Sequence, residues 1–411
     1  MKAVVFTLGC KVNECESDAL ISGLKARGYE VSDKLEKADL YIVNTCAVTA
    51  EAEKKSRQTA SRIKRLNPNA KIIFTGCAAE KNYKAFADKS AAYLVTGVFN
   101  KNAILSALDR TGVMIAENST DYEELPAPTS LKARAFIKVQ DGCDNFCTYC
   151  IIPHLRGRSR SRSADSVAKE ISALNPAEAI ITGINLSDYK GDGGLTGLIN
   201  SLKYVNSRIR LGSLEVGVID DGFLQSLKNL KNFAPHFHLS LQSGSNAVLK
   251  KMNRKYTREE FIEKVALIRQ YFPLAGITTD IIAGFPTETE EDFNDTLSLV
   301  DAVKFSDIHP FIFSPREGTP AYKMQDLPFE VKKSRLDRLI EIKKRLKAEF
   351  AALMKDKTVE FLPEEFKEGY TEGYSENYLR VYVKGEIPVG KIVKAKVGGA
   401  YLDGATAEII D

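Results

Sequence analysis

Apolar runs at Val4–Leu8, Leu40–Val43 and Ile72–Thr75 alternate with stretches of helical periodicity, Ser17–Gly28 and Ala50–Leu66, the second ended by Asn67-Pro68. That alternation predicts an α/β unit with a parallel sheet, whose strands are apolar on both faces because helices cover both. Each run is followed within one to three residues by a cysteine: Cys10, Cys46 and Cys77. In an open parallel sheet these positions share one carboxyl edge, where such sheets bind ligands. Three thiols distant in sequence therefore converge, and the helices that follow aim their N-terminal N–H groups at the same place. A single buried cysteine is by default a packing residue; three at one sheet edge read as a ligand set. Cys15, inside the first helical stretch, reads as a packing residue or incidental thiol.

An acidic, Pro-rich segment, Asp121–Ser130, reads as a linker. Beyond it six strand candidates alternate with helical patterns: Phe136–Gln140, Ala179–Thr182, Ile209–Leu214, His238–Leu241, Thr278–Ala283 and Ile308–Phe313. They predict βα repeats in a parallel sheet or incomplete barrel. Directly after the first of them stands G-C-D-N-F-C-T-Y-C, with Cys143, Cys147 and Cys150 at the face where barrels place their chemistry. Three thiolates so spaced can hold three irons of a [4Fe–4S] cluster and leave the fourth open, whereas ferredoxin clusters use four. His154 offers the alternative of a Cys3His zinc site, which Pro153 and the strand-end position disfavour. A cationic amphipathic helix, Glu330–Met354, follows. From Lys355, short alternating runs at Asn377–Val383 and Lys391–Val397 read as a small β-barrel. The expected fold is thus α/β, in three parts: a parallel α/β sandwich (1–118), an incomplete TIM-like (β/α)6 barrel (129–354) and a small antiparallel β-barrel (355–411).

At 411 residues the chain exceeds one ordinary domain. No apolar run approaches the roughly 20 residues of a membrane span, and Val4–Leu8 is too short for a signal peptide, so a cytoplasmic protein without membrane contact is expected. Seven cysteines without an export signal point to metal or catalysis rather than to disulfides. The net charge of +4 is unevenly spread. Lys54, Lys55, Arg57, Arg62, Lys64, Arg65 and Lys71 occur without an intervening acid, and Arg156, Arg158, Arg160 and Arg162 follow the second cysteine set. A basic helix is often only a solvated face; two basic stretches, each adjoining a cysteine, suggest a polyphosphate backbone held near the chemistry. The segment from Lys355 holds eight Lys/Arg against eleven Asp/Glu, so any grip on RNA there rests on local patches.

The motifs T-L-G-C-K-V-N (Thr7–Asn13), N-T-C-A-V-T (Asn44–Thr49), T-G-C (Thr75–Cys77) and G-C-D-N-F-C-T-Y-C-I-I-P (Gly142–Pro153) resemble those of the radical S-adenosylmethionine (SAM) methylthiotransferases. So do L-Q-S-G-S (Leu241–Ser245), M-N-R-K-Y-T (Met252–Thr257), G-F-P-T-E-T (Gly284–Thr289) and S-P-R-E-G-T-P-A (Ser314–Ala321). The resemblance spans essentially the whole chain. It implies an N-terminal methylthiotransferase domain, a radical SAM core and a TRAM-like RNA-binding barrel. The opening T-L-G-C-K-V-N resembles the branch that acts on N6-threonylcarbamoyladenosine beside the tRNA anticodon. Sister branches open T-Y-G-C-Q-M-N (isopentenyladenosine) or S-L-G-C-P-K-N (ribosomal protein aspartate). T-G-I-N-L-S-D-Y (Thr182–Tyr189) agrees with the first branch, whereas Gly212, Val216, Thr287 and the Lys190-Gly191 turn depart from the usual pattern.

The resemblance implies two [4Fe–4S] clusters, on Cys10/Cys46/Cys77 and on Cys143/Cys147/Cys150, with SAM at the open iron of the second. It further implies methylation of a sulfur at the first set and reductive cleavage of SAM at the second. Hydrogen is then abstracted from carbon 2 of the adenine and the methylthio group transferred there, with no catalytic side-chain acid or base. The partners it implies are a tRNA anticodon stem-loop, a sulfur donor and an electron donor such as flavodoxin or ferredoxin. For the SAM pocket, Tyr149 is expected against the adenine, Gly183 beside the methionine end, and Glu215 and Gln242 on the ribose or amino group. Arg254 and Arg316 are expected on the SAM carboxylate or on RNA phosphate. Strand-end polarity and surface ion pairs are the plain alternatives for these. An alternative of another class is a zinc-containing RNA-binding protein.

Overall fold

The computed structural model describes residues 1–89, 92–128 and 133–410. The apolar runs of the first part form the expected strands Lys2–Thr7, Leu40–Thr45 and Lys71–Gly76. Three short strands, Glu30–Ser32, Leu94–Thr96 and Gly112–Met114, extend them to a six-stranded sheet in which every pair is parallel. Side chains alternate between two cores. Ile42 and Ile73 pack with Leu20 and Leu24 of the first helix, Lys11–Lys25. Tyr41, Val43 and Phe74 pack with Ala60 and Ile63 of the second, Ala50–Leu66. In register, Thr7 pairs with Asn44 and Asn44 with Thr75, so the three strand ends lie side by side.

The linker expected at 121–130 is tied down where it is described. Tyr122 donates its hydroxyl to Lys138 O at 2.7 Å, and Glu123 accepts the N–H groups of Lys101 and Asn102. Thr129 and Ser130, with the expected start of the second part, lie outside the described residues.

The six expected barrel strands are all present and parallel, divided between two sheets. Arg134–Lys138, Glu178–Thr182 and Arg208–Leu211 form one; Ser213–Leu214, His236–Leu239, Gly276–Ala283 and Asp307–Ile312 form the other. The third expected strand serves both sheets, because it breaks at Gly212. There the backbone N–H turns to Ile181 O at 2.8 Å, and a Cβ would come within 3.0 Å of that oxygen. The departure at Gly212 thus has a structural cause. Amphipathic helices cover the arc through Val167, Ile171, Leu198, Phe223, Phe261, Val265, Phe293 and Val300.

Helix Phe329–Met354 packs Leu339 and Leu346 on this core, then carries Ala351 and Met354 into the last one. That core is a closed five-stranded barrel. It was expected to be antiparallel, but Arg380–Lys384 and Gly404–Ile409 run parallel. Parity requires it: an odd number of strands cannot alternate direction around a closed ring. The barrel docks where the core strands begin. Arg208 donates to Glu360 O at 2.6 Å, Arg210 to Ser375 O at 2.9 Å and Glu376 O at 3.0 Å, and both grip Glu178. Among the described residues, no helix is long and apolar enough to cross a membrane.

Candidate cluster-binding site

At the first set, local backbone geometry follows from glycines. Gly9 has φ +114°, and a Cβ on it would stand 2.9 Å from Cys46 Cβ and 3.0 Å from its sulfur. Gly76 has φ +93°, and its missing Cβ leaves room for Asn44 Oδ1 and the Thr45 carbonyl. Only glycine meets both demands at low cost. Cys10 caps the N-terminus of the first helix and Cys77 opens the helix Cys77–Lys81. Asn13, fully buried, donates to Leu8 O at 2.7 Å and Thr45 O at 3.1 Å, stapling the Cys10 loop to the strand that leads to Cys46. Asn44 returns a bond to Asn13 O at 3.0 Å, and Ser56 bonds the backbone of Cys46. The asparagines of the two motifs are therefore structural ties between cysteine loops. Cys10 is exposed, whereas Cys46 and Cys77 are buried.

At the second set, Gln140 organises the loop. Its amide donates to Gly142 O at 2.7 Å and Ser159 Oγ at 2.9 Å, and its oxygen accepts from Asn185 N at 2.9 Å. Thr148 bonds the Met252 and Lys251 carbonyls, and Asn253 reaches the carbonyls of Asn145 and Phe146. The M-N-R-K-Y-T motif thus holds the cysteine loop from the other side. Arg254 places Nη1 3.2 Å from Cys147 Sγ, ion-pairs Glu215 at 2.7 Å and donates to Ser240 O at 2.9 Å. Asn185 Nδ2 lies 3.9 Å from Cys143 Sγ.

The structure brings Glu215 and Arg254 together at Cys147, with Tyr149 behind them against the cluster of Val248, Met252, Phe285 and Phe313. Gln242, one strand further on, has φ +73°, a left-handed conformation rare for a residue with a side chain. Gly183 is small because Gln140 fills its space: a Cβ there would meet Gln140 Oε1 at 2.7 Å. Arg316 is not presented to solvent. It is buried in an ion pair with Glu53 of the second helix, linking the S-P-R-E-G-T-P-A motif to the first sheet.

The two cysteine sets face one another across a shared apolar plug. Ile151, Ile152 and Leu155, just after Cys150, pack in the same cluster as Ala47, Cys77 and Phe99. Beside the plug runs a buried charge network that sequence reading missed. Arg156 Nε lies 3.3 Å from Cys77 Sγ; Nη1 bonds Glu16 at 2.9 Å and Asp141 at 3.0 Å; Nη2 bonds Asn13 at 2.8 Å. Lys138 joins Glu16 and Asp141, Lys101 joins Glu16 at 3.1 Å, and Arg160 joins Asp141 at 3.1 Å. Burial alone would raise the Glu16 carboxyl, but Arg156, Lys101 and Lys138 outweigh it and hold it well below the usual range.

This overturns the phosphate reading of the second basic stretch. Arg156, Arg160 and Arg162 are buried in ion pairs, and Arg158 alone of the four is open, at 72% side-chain exposure. The reason is the short antiparallel ladder between Arg160–Ser161 and Gln140–Asp141, which turns Arg160 inward to Asp141. The first basic stretch remains a surface: Lys54, Lys55, Arg62 and Arg65 are exposed along the second helix.

Burial pushes the Cys46 and Cys143 thiols up to about 11 and Cys150 up to about 12. Free, they would be neutral; a bound metal removes the proton. Among the described residues, no three His, Cys, Asp or Glu side chains stand close enough to share one metal ion. His154 is exposed and lies edge-on to Phe146, its ring centre 6.0 Å away, so the Cys3His alternative is not formed. Soft sulfur donors with N–H groups aimed at them suit an iron–sulfur cluster.

An α/β sheet edge facing an incomplete six-unit barrel, each with three cysteines, defines a radical SAM architecture. Residues 137–300 match the Radical SAM superfamily, and residues 2–97 match Uncharacterized protein family UPF0004. The radical SAM methyltransferase TsrM from Kitasatospora setae, solved with cobalamin and a [4Fe–4S] cluster, shares the fold. Its TM-score is 0.57 at 15% identity, over 90% of this chain and 77% of that one. At 38% identity, over all of this chain and 98% of the relative, the sequence matches threonylcarbamoyladenosine tRNA methylthiotransferase MtaB of Bacillus subtilis. The Thermotoga maritima protein of that name is 41% identical, over 83% of this chain and 82% of the relative. A tRNA-2-methylthio-N(6)-dimethylallyladenosine synthase of Pelotomaculum thermopropionicum is 34% identical, over 97% of this chain and 95% of the relative. The chain belongs to the radical SAM methylthiotransferase family, on its MtaB-like branch.

Proposed function

We propose that this protein adds a methylthio group to carbon 2 of N6-threonylcarbamoyladenosine beside the anticodon of tRNA. In this reading one [4Fe–4S] cluster is held by Cys10, Cys46 and Cys77 and a second by Cys143, Cys147 and Cys150, with SAM at the second. The observation that carries it is the facing of two three-cysteine sets, each with a cationic N–H donor on one sulfur: Arg156 on Cys77 and Arg254 on Cys147. The substrate is supported by relatives named for threonylcarbamoyladenosine that match the whole chain.

When bound, the clusters and SAM supply the sulfur, methyl and radical chemistry; the chain supplies orientation. Arg254 and Glu215, locked in an ion pair, fix polar groups beside Cys147, with Tyr149 close to both Cys147 and Arg254. Ile151, Ile152 and Leu155 exclude water between the sets. The exposed cations of Ala50–Leu66, a helix about 25 Å long that begins just after Cys46, offer phosphate contacts leading to the site. Segments 1–118, 129–354 and 355–411 act as the sulfur-carrying, SAM-cleaving and RNA-contacting parts. A cytoplasmic electron donor such as flavodoxin or ferredoxin and a separate sulfur donor complete the cycle.

The test is mass spectrometry of tRNA nucleosides from a strain lacking the gene. Loss of the 2-methylthio form of threonylcarbamoyladenosine is expected; loss of the isopentenyladenosine form instead would move the enzyme to the sister branch. In vitro, Cys143→Ala should abolish SAM cleavage, whereas Cys10→Ala should keep cleavage and lose sulfur insertion. Normal product from the Cys10 variant would refute the assignment.

A further inference from the structure

The buried network beside Cys77 does not balance. Its ion pairs join two carboxylates, Glu16 and Asp141, to four cations, Lys101, Lys138, Arg156 and Arg160. Arg156, Lys101 and Glu16 have no side-chain exposure, and Asp141 has 3%. Even with Glu80, another carboxylate whose field reaches Lys101 and which also accepts the Val98 N–H, four cations face three carboxylates. Excess charge of one sign is expensive inside a protein unless an opposite charge accompanies it. The donor left for such a partner is Arg156 Nε, which carries one hydrogen and faces Cys77 Sγ at 3.3 Å, while both of its Nη groups are spent on Glu16, Asp141 and Asn13. A [4Fe–4S] group on three thiolates is an anion, and it would sit where the positive excess lies.

Arg156 also belongs to the other set. It ends the helix Ile152–Arg156 that starts two residues after Cys150, and the carbonyl of the next residue, Gly157, accepts the Cys143 N–H at 3.1 Å. A side chain at Gly142 would collide with the Arg158 carbonyl, 2.0 Å from its Cβ, so this segment is pressed onto the Cys143 loop.

We propose that Arg156 is a positioning residue shared by the two cysteine sets. It gives the Cys77 sulfur an N–H and a counter-charge through its side chain, and it directly precedes Gly157, whose carbonyl holds the Cys143 N–H. The proposal rests on the reading that Cys10, Cys46 and Cys77 hold a cluster. A hydrogen bond and a positive charge at a cluster sulfur stabilise the reduced, more negative form. Removing them therefore lowers the reduction midpoint of that cluster and weakens its retention.

The test uses the full chain with Cys143, Cys147 and Cys150 all replaced by Ala, so that the first set alone carries iron. This chain is compared with its Arg156→Met and Arg156→Lys derivatives. Iron content and the midpoint of the reduced-cluster electron paramagnetic resonance signal are the readouts. The expected result is a more negative midpoint and faster iron loss to a chelator in R156M, with R156K between it and the parent. Equal midpoints and equal iron retention in all three would overturn the proposal. If R156M does not accumulate folded, R156K decides: it keeps the charge but loses the N–H at Cys77, and a parental midpoint and iron retention there would also overturn it. A parent that takes up no iron would instead defeat the cluster reading, a distinguishable failure.

Discussion

Two buried arginine networks stand at opposite ends of the same barrel strands, and they end on different things. Where the strands begin, Arg208 and Arg210 grip Glu178, and their remaining donors go to the main-chain carbonyls of Glu360, Ser375 and Glu376. Where the first strand ends, Arg156 spends its outer nitrogens on Glu16, Asp141 and Asn13 and its last N–H on a sulfur. Both networks pair more cations than carboxylates. The first spends its remaining donors on main-chain carbonyls, whereas the second spends its last N–H on a cysteine sulfur. One holds the C-terminal barrel in place; the other lies where we propose that a cluster binds.

The sharpest way to break that contrast is to remove one carboxylate from each. Glu16→Gln leaves Arg156, Lys101 and Lys138 short of a partner in full burial, a loss on the order of 3–5 kcal/mol. It should lower the chemical unfolding midpoint and reduce iron uptake together. Glu178→Gln should cost a similar or somewhat smaller amount. Its effect should appear as proteolysis near Met354, with iron uptake unchanged, because its partners hold only the C-terminal barrel. Iron loss in the Glu178 variant equal to that in the Glu16 variant would erase the distinction.

Acid sharpens the same comparison. Burial would raise the Glu178 carboxyl, but Arg210 and Arg208 dominate and hold it at about 2. A depressed folded-state pKa contributes stability that is present above the unfolded carboxylate value, about 4.5, and lost as pH falls toward 2. The docking of the C-terminal barrel should therefore loosen progressively in that window, followed by protease susceptibility. Glu178→Gln should flatten the dependence.

A smaller effect is expected at Gly76. Alanine there would have to adopt φ +93° and place its Cβ 2.5 Å from Asn44 Oδ1, a cost of about 1–3 kcal/mol. The loss should fall on the first cysteine set and leave SAM cleavage intact. Least disruptive to the fold is charge reversal at Lys54, Lys55, Arg62 and Arg65, all exposed, which should move stability by under about 0.5 kcal/mol. If the helix tracks RNA phosphates, the slope of log affinity for tRNA against log salt should fall by about 0.9 for each phosphate no longer neutralised. An unchanged slope would leave this helix a solvated face.

The contrast also explains what was legible beforehand. Strands apolar on both faces announce a parallel sheet, so Cys10, Cys46 and Cys77 could be placed on one edge from period and spacing alone. Strands of three residues, such as Glu30–Ser32 and Gly112–Met114, are too short to show a period. The basic run after Cys150 misled because charge says nothing about direction: a two-residue ladder turns Arg160 inward, while Arg158 stays in water. Asn13, Glu16 and Ser17 offered a signal, three polar residues at helical spacing that are all buried. Starting the first helix at Ser17 rather than Lys11 hid it. At Gly183 the space that a side chain would take is occupied by Gln140, a contact across strands that sequence spacing cannot reveal.

Whether two separate three-cysteine sites each hold a cluster is decided by iron and sulfide content with Mössbauer spectra after anaerobic reconstitution. The full chain should bind about eight irons, and about four when either Cys10/Cys46/Cys77 or Cys143/Cys147/Cys150 is replaced by Ala. Four irons in the full chain, or no iron left after replacing one set alone, would contradict the two-cluster reading.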